Sequence, residues 1–321
     1  MAKTALVTGT TGQDGSFLSE LLLSKGYEVC GLVRRLSSPN ITNIQHIMKD
    51  LRLLDGDMTD QTSMITALKE SRPDEIYNLA AQSFVATSFR QPVLTADVNG
   101  LGAVRLLEAA KEVVPDARIY QASTSELFGL VRETPQNENT PFHPRSPYGV
   151  SKLFAYWACV NYREAYEMHV SNGILYNHES SRRGLEFLTR KVTDGVARIA
   201  KGKATHIELG NLDPKRDWGY APEYVDAMWR MLQQPKPDDY VIGTGESHTV
   251  REFVELAFRE AGIEKWDKYV RTDPKHFRPA EVQTLCADPS KARNVLGWRA
   301  KTRLPELVKI MVKADLERVG G

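Results

Sequence analysis

Over its first 170 or so residues the chain alternates short apolar runs with longer stretches of helical period. The apolar runs are "TALVTG" (4–9), "EVCGLV" (28–33), "LRLLDG" (51–56), "EIYNLA" (75–80), "ARIYQA" (117–122) and "VSNGIL" (170–175). Between them, segments such as 14–25, 61–70, 96–112 and 147–167 repeat apolar positions three and four residues apart and read as helices. Strands and helices in this alternation predict an α/β fold: a doubly wound, Rossmann-type parallel sheet with helices on both faces. Such a sheet binds ligands beyond the carboxyl ends of its strands, where the strand order reverses. The residues that follow each apolar run are therefore the first place to look for chemistry.

The pattern loosens in the second half. A helix at 186–201 leads to a strand at 206–209 and a loop, "NLDPKRDWG". A helix at 222–234 and a strand at 239–242 read as further sheet elements, and helices at 249–261 and 303–318 follow between proline-rich connections. This predicts a nucleotide-binding domain of residues 1–172 plus about 216–242. A smaller mixed α/β substrate-binding lobe takes about 173–215 plus 243–321.

Charge narrows the function classes. With 42 Lys and Arg against 41 Asp and Glu, the net charge of +1 gives no global field for nucleic acid or an anionic membrane. No apolar run approaches the ~20 residues of a membrane span. The opening "MAKTALVTG" runs straight into a strand and leaves no room for a signal peptide. Cys30, Cys159 and Cys286 are odd in number and far apart, which fits no metal site and suits reduced thiols in the cytoplasm.

"TGTTGQDG" sets Gly9, Gly12 and Gly15 at three-residue intervals after the first strand. A dinucleotide pyrophosphate needs such a turn, because side chains would block the backbone and the next helix offers unpaired N–H groups. An ordinary glycine-rich turn would look the same; the position between a strand and a helix favours the cofactor. Arg34 and Arg35 follow the second strand, where an acid would bind the ribose of NAD. A guanidinium there suits the 2′-phosphate of NADP, although a solvated basic loop also fits. Asp57, past the third strand, is placed to reach an adenine amino group. Leu79, Ala80, Ala81, Gln82 and Ser83 end the fourth strand with small residues that let a cofactor ribose lie close.

In "SPYGVSK", Tyr148 and Lys152 stand four apart, on one face of a helix. A nearby ammonium favours the ionised phenol, which makes Tyr148 a usable base, and Lys152 can also hold the nicotinamide ribose. Tyr-x-x-x-Lys by itself is common. Here it follows a nucleotide fingerprint and "STSELFG" (123–129), in which Thr124, Ser125 and Glu126 occupy a strand's carboxyl end.

With "ALVTGTTGQDGSFL", "YNLAAQSFV", "YQASTSELFG", "PRSPYGVSKL", "NGILYNHES", "RDWG" and "FRPAEV", the chain resembles the extended short-chain dehydrogenase/reductase superfamily. Within it, it resembles the GDP-mannose 4,6-dehydratase family, over essentially its whole length. The resemblance implies a lyase that turns GDP-mannose into GDP-4-dehydro-6-deoxy-mannose and water by internal hydride transfer through NADP. Tyr148 would take the proton from the hydroxyl at carbon 4, Thr124 would hydrogen-bond that oxygen, and Glu126 would remove the proton at carbon 5. Related dehydratases of dTDP-glucose carry Thr-Asp-Glu where this chain has Thr-Ser-Glu.

The resemblance also implies cofactor contacts from Thr11, Gln13, Asp14, Met58, His178 and Arg183. Around the GDP-sugar it implies Ser83, Ser125, Asn177, Lys191, Arg216, Arg278 and Glu281. It implies no metal, and a homotetramer through the loop at 34–42. The same groups would serve GDP-manno-heptose. A nucleotide-sugar epimerase or reductase, or a non-catalytic dinucleotide sensor, are the other readings; Glu126 argues against the first two, and the full set of four catalytic groups against the third.

Overall fold

A computed structural model of the chain describes residues 2–273 and 280–320. Its first six strands are β1 (Thr4–Thr8), β2 (Glu28–Val33), β3 (Leu51–Asp55), β4 (Glu75–Asn78), β5 (Arg118–Ala122) and β6 (Val170–Leu175). Short strands β7 (Asn177–Glu179), β8 (Ile207–Leu209), β9 (Lys215–Arg216) and β10 (Trp218–Tyr220) precede β11 (Tyr240–Ile242), and β12 (His248–Thr249) and β13 (Val270–Thr272) follow. The central sheet has seven strands in the order β11-β6-β5-β4-β1-β2-β3, every pair parallel. Strand order therefore reverses at β1, and the carboxyl ends of β1 and β4 diverge there into a crevice.

Eleven α-helices connect and flank these strands among the described residues. They are α1 (Gln13–Ser24), α2 (Gln61–Ser71), α3 (Val85–Arg90), α4 (Pro92–Ala96), α5 (Gly102–Val113) and α6 (Pro147–Tyr166). Then come α7 (Leu188–Ala200), α8 (Ala221–Leu232), α9 (Val250–Glu260), α10 (Ser290–Leu296) and α11 (Leu304–Gly320).

Successive strand residues point to opposite faces, and each face has its own core. Ala5, Val7, Tyr77 and Tyr120 pack with Leu18 and Leu22 of α1 and Val225 and Met228 of α8. Leu6, Ile76 and Ile119 pack on the other side with α2, α5 and α6, through Leu68, Leu106 and Cys159. Each fully buried aliphatic side chain contributes about 1.5–3 kcal/mol. Because both faces are covered, the strands read as apolar runs without a polar side.

A separate cluster joins α7, α9 and α11 through Val192, Val196, Phe253, Phe258 and Met311. Inside it, Arg190 meets Asp315 at 2.9 Å, and the Thr193 hydroxyl donates to the same carboxylate at 2.6 Å.

One predicted helix differs in detail. The stretch read as a helix over 96–112 starts with a π-helical turn, Asp97–Leu101, between α4 and α5. Apolar spacing registers three- and four-residue repeats and is blind to one wider turn.

Candidate active site

The loop after β1 is built for close approach. Gly9 has φ of 70°, a left-handed conformation that side chains resist. A Cβ on Gly15 would lie 2.2 Å from the Gly9 carbonyl oxygen and 2.7 Å from Thr10 Cα, so α1 sits directly on the loop. Gly12 caps α1 and brings no side chain to its amides, which leaves the helix's positive end exposed to whatever lies in front. In front is a cleft of about 660 Å³. Its rim runs across the carboxyl ends of β1, β4, β5 and β6, through Gly9, Leu79, Ser123 and Tyr176.

The first turn of α1 is tied to β7. The Gln13 amide donates to Asp14 (2.9 Å) and to the His178 carbonyl (3.0 Å) and accepts from the Ser180 hydroxyl (2.8 Å). His178 Nε2 lies 2.7 Å from Asp14 Oδ2, and its Nδ1 lies 2.7 Å from the Tyr176 carbonyl. Both ring nitrogens thus face acceptors, and the ring satisfies both only by carrying two protons. Burial opposes that charge, but the Asp14 carboxylate outweighs it and holds the imidazole above its ordinary range. Reciprocally, burial pushes Asp14 up while His178 pulls harder and keeps it below the usual carboxylate range. The ring of Tyr224 stacks on His178 at 4.8 Å.

Across the cleft stand Thr124, Ser125, Glu126, Tyr148 and Lys152, all buried and all lining it. Ser146 starts α6 by accepting the Gly149 amide at 3.0 Å, with Pro147 in the first helical turn. That start fixes Tyr148 and Lys152 on the inward face. Burial drives the Tyr148 phenol up to about 12; a hydrogen bond with Thr124 pulls it down, and Glu126 raises it. Burial pushes the Lys152 ammonium down to about 8, and its Nζ donates to the Ala122 carbonyl at 2.9 Å. Thr124 caps a single 3-10 turn, Ser125–Leu127. Its hydroxyl oxygen accepts the Glu126 amide at 3.2 Å and keeps its own proton for donation.

The other predicted cofactor residues also line this cleft: Thr11, Asp57, Met58, Ala80, Ala81, Gln82, Ser83 and Arg183, with Arg34 at its exposed edge. Asp57 accepts from the Thr59 amide (2.9 Å) and hydroxyl (2.8 Å). Asn99, in the π-helical turn, holds the Gln82 backbone from both sides, at 2.8 and 3.0 Å.

Of the predicted substrate residues, Ser83, Ser125 and Asn177 line the cleft. Lys191, Arg216 and Glu281 do not; Arg216 pairs with Glu281 at 3.0 Å beside β9. Arg278 lies outside the described residues.

Phe84, Ser123, Tyr176 and Glu186 line the cleft without having been singled out in the sequence. Among the described residues the buried Ser123 hydroxyl has no hydrogen-bond partner. Only its place beside Thr124 could have flagged it; the others reach the cleft from loops that carry no spacing signal.

Comparison with known proteins gives the same picture from outside. The profile of the GDP-mannose 4,6 dehydratase family matches residues 6–311. GDP-mannose 4,6 dehydratase 2 of Caenorhabditis elegans is 52% identical over 340 aligned residues, covering 98% of this chain and 89% of the relative. The GDP-mannose 4,6-dehydratase of Yersinia enterocolitica is 50% identical over 351, covering 98% and 94%. Among solved structures, a UDP-glucose 4-epimerase of Thermus thermophilus in complex with NAD superposes with a TM-score of 0.86 at 28% identity, covering 97% of this chain and 98% of that one.

Proposed function

The chain belongs to the GDP-mannose 4,6 dehydratase family, and on that premise we propose how its cleft divides the work. The activity is the conversion of GDP-mannose to GDP-4-dehydro-6-deoxy-mannose with loss of water. The relatives named above are GDP-mannose enzymes, and nothing in the cleft favours the heptose.

A nicotinamide dinucleotide fits the residues present. A Cβ on Gly15 would clash with the loop at 2.2 Å and one on Gly9 would press on Ala80 at 3.0 Å. Gly12 leaves a helix terminus bare for phosphates, and the buried Ser123 hydroxyl has no partner among the described residues. NADP is the form favoured by Arg34, which follows β2 at the cleft's edge. When bound, the dinucleotide supplies a hydride acceptor for carbon 4 of the sugar and a hydride donor for carbon 6, so no reductant is consumed.

The side chains do the proton work. Tyr148 removes the hydroxyl proton at carbon 4. Burial holds its phenol up at about 12 in the cleft, with Lys152 already one helical turn away, so Lys152 is assigned to favouring the phenolate once cofactor and sugar fill the cleft. Thr124 donates to the oxygen on carbon 4. Once that carbon is a ketone, the hydrogen on carbon 5 becomes acidic, and Glu126 takes it. The hydroxyl of carbon 6 then departs as water on receiving the proton that Glu126 took, with Ser125 beside it. A proton equal to the one Tyr148 removed returns to carbon 5 when carbon 6 is reduced. On the nucleotide side, Lys191, Arg216 and Arg278 are assigned to the GDP moiety and Glu281 to its ribose, with Asn177 near the phosphates and Ser83 among the substrate contacts.

The observation that carries this reading is the buried carboxylate of Glu126 in the same cleft as Tyr148. A 4-epimerase or a simple reductase needs no base for the hydrogen on carbon 5. In Glu126→Gln, loss of a positioned base should lower dehydration by about 10²–10⁴-fold, while substrate still reduces bound cofactor, seen by absorbance. Water loss at the wild-type rate, measured by mass spectrometry, overturns the assignment.

The subunit arrangement proposed is a homotetramer. Val93 on α4 and Phe154 and Trp157 on α6 are 81%, 50% and 55% exposed, on helices that pack together, and a second copy would cover them. The exposed 34–42 loop offers a second contact. Sedimentation velocity decides between dimer and tetramer. A cytoplasmic setting is proposed from the three cysteines, all free thiols; no helix among the described residues is long and apolar enough to cross a membrane.

A further inference from the structure

Three neighbouring strands end in polar side chains at matched register. Thr8 of β1 sits beside Asn78 of β4, and Asn78 beside Gln121 of β5. By strand alternation they share a face with Leu6, Ile76 and Ile119, and none exceeds 3% exposure. Polar groups above an apolar row are costly unless each finds a partner.

Here they pair in one direction. The Thr8 hydroxyl oxygen accepts the amides of Leu79 and Ala80, each at 3.0 Å, so its proton goes to Asn78 Oδ1 at 2.7 Å. Asn78 Nδ2 donates to Gln121 Oε1 at 2.7 Å, and Gln121 Nε2 donates to the Ala122 carbonyl at 3.1 Å. The Lys152 ammonium donates to that same oxygen at 2.9 Å. A continuous hydrogen-bonded row thus begins under the glycine loop and ends on the carbonyl oxygen to which Lys152 donates.

We propose that Gln121 is a positioning residue of the reaction: by holding the Ala122 carbonyl, it fixes where the Lys152 charge sits relative to Tyr148. This last bond also satisfies the buried Gln121 amide, which donates to no other group among the described residues. Its landing on the acceptor of Lys152 joins it to the chemistry. Ala122 is also the last residue of β5, two before Thr124, so a tilt of its peptide moves both sides of the site. Field strength at Tyr148 depends on the distance to the ammonium, and a displaced Lys152 leaves the phenol harder to ionise.

The proposal rests on the roles given above to Tyr148 and Lys152, and its test separates the two. In Gln121→Leu, Asn78 Nδ2 loses its acceptor and thermal stability falls. In Asn78→Leu/Gln121→Leu that orphan is removed, the Thr8 hydroxyl proton alone loses its acceptor, and stability returns in part, while the Ala122 carbonyl still lacks its amide donor. Both variants should dehydrate GDP-mannose with kcat about tenfold below wild type and a little-changed KM. The acid limb of their kcat–pH profile should shift upward by about half a unit. A double variant whose kcat returns together with its Tm, or profiles that superpose on wild type after scaling, overturn the proposal. Tyr148→Phe is the control: if it stays active, the assignment of the base fails, whereas an inactive Tyr148→Phe beside a wild-type-like Gln121→Leu refutes only the positioning role.

Discussion

Replacing Asp14 by asparagine should destabilise the protein more at pH 6 than at pH 8. In the wild type the His178 ring donates from both nitrogens, to Asp14 and to the Tyr176 carbonyl. Its pKa is raised in the fold, so its contribution is full below about 6.5, the unfolded value, and fades as pH rises through the folded one. Asp14 is lowered, so its contribution is present above about 3.9 and fades as pH falls through its folded value. The pair therefore stabilises from mildly acid conditions up to the raised His178 pKa.

Without the carboxylate, at pH 6, the fold must hold a buried cation with no counter-charge or strip its proton. Breaking a buried pair from one side costs about 3–5 kcal/mol. At pH 8 a neutral ring can accept from the side-chain amide that Asp14→Asn introduces, so the loss is nearer a single hydrogen bond, about 1 kcal/mol. The two conditions should thus differ by roughly 2 kcal/mol or more. Urea midpoints of both proteins at each pH, without cofactor, measure it directly. Equal losses at both pH values, or a wild-type His178 resonance that titrates at or below about 6.5, would refute the reasoning.

Three other outcomes follow from geometry already given. In Gly15→Ala the new methyl meets Gly9 backbone at 2.2 Å; the loop must shift, at about 1–3 kcal/mol, and dinucleotide affinity should drop by calorimetry, whereas unchanged affinity would place the cofactor elsewhere. Ser146→Ala removes the cap of α6 and should lower stability by about 1 kcal/mol in urea; no change would show that the cap is idle. Arg34→Ala should weaken NADP by about 10–100-fold, the worth of a hydrogen bond to a charged group, and leave NAD nearly unaffected; equal losses contradict the 2′-phosphate contact.

The sheet was legible because buried parallel strands leave little ambiguity: 28–33 and 170–175 coincide with β2 and β6, and the others differ at their ends by a residue or two. The glycine loop, Thr124–Glu126 and Tyr148/Lys152 line one cleft, and that convergence was legible because the first two directly follow strands and the last pair stands one helical turn apart. The π-helical turn escaped a test for three- and four-residue repeats. Strands of two or three residues, such as β9 and β12, are held by pairing across the chain and have no pattern of their own. The partnership of Asp14 with His178 spans 164 residues, and no local reading contains it. Glu186 and Tyr176 border the cleft only because of how β6, β7 and the loop after them return past the sheet.

The turn that carries Glu126 has a freedom that its neighbours lack. Its bonds are the Thr124 hydroxyl to the Glu126 amide and the carbonyls of Thr124 and Ser125 to the amides of Leu127 and Phe128. None of them involves the hydroxyl of Ser125. Position 125 is thus an interchangeable slot in a fixed mount: its side chain can be exchanged for another small polar one while the backbone bonds that aim the residues on either side stay in place.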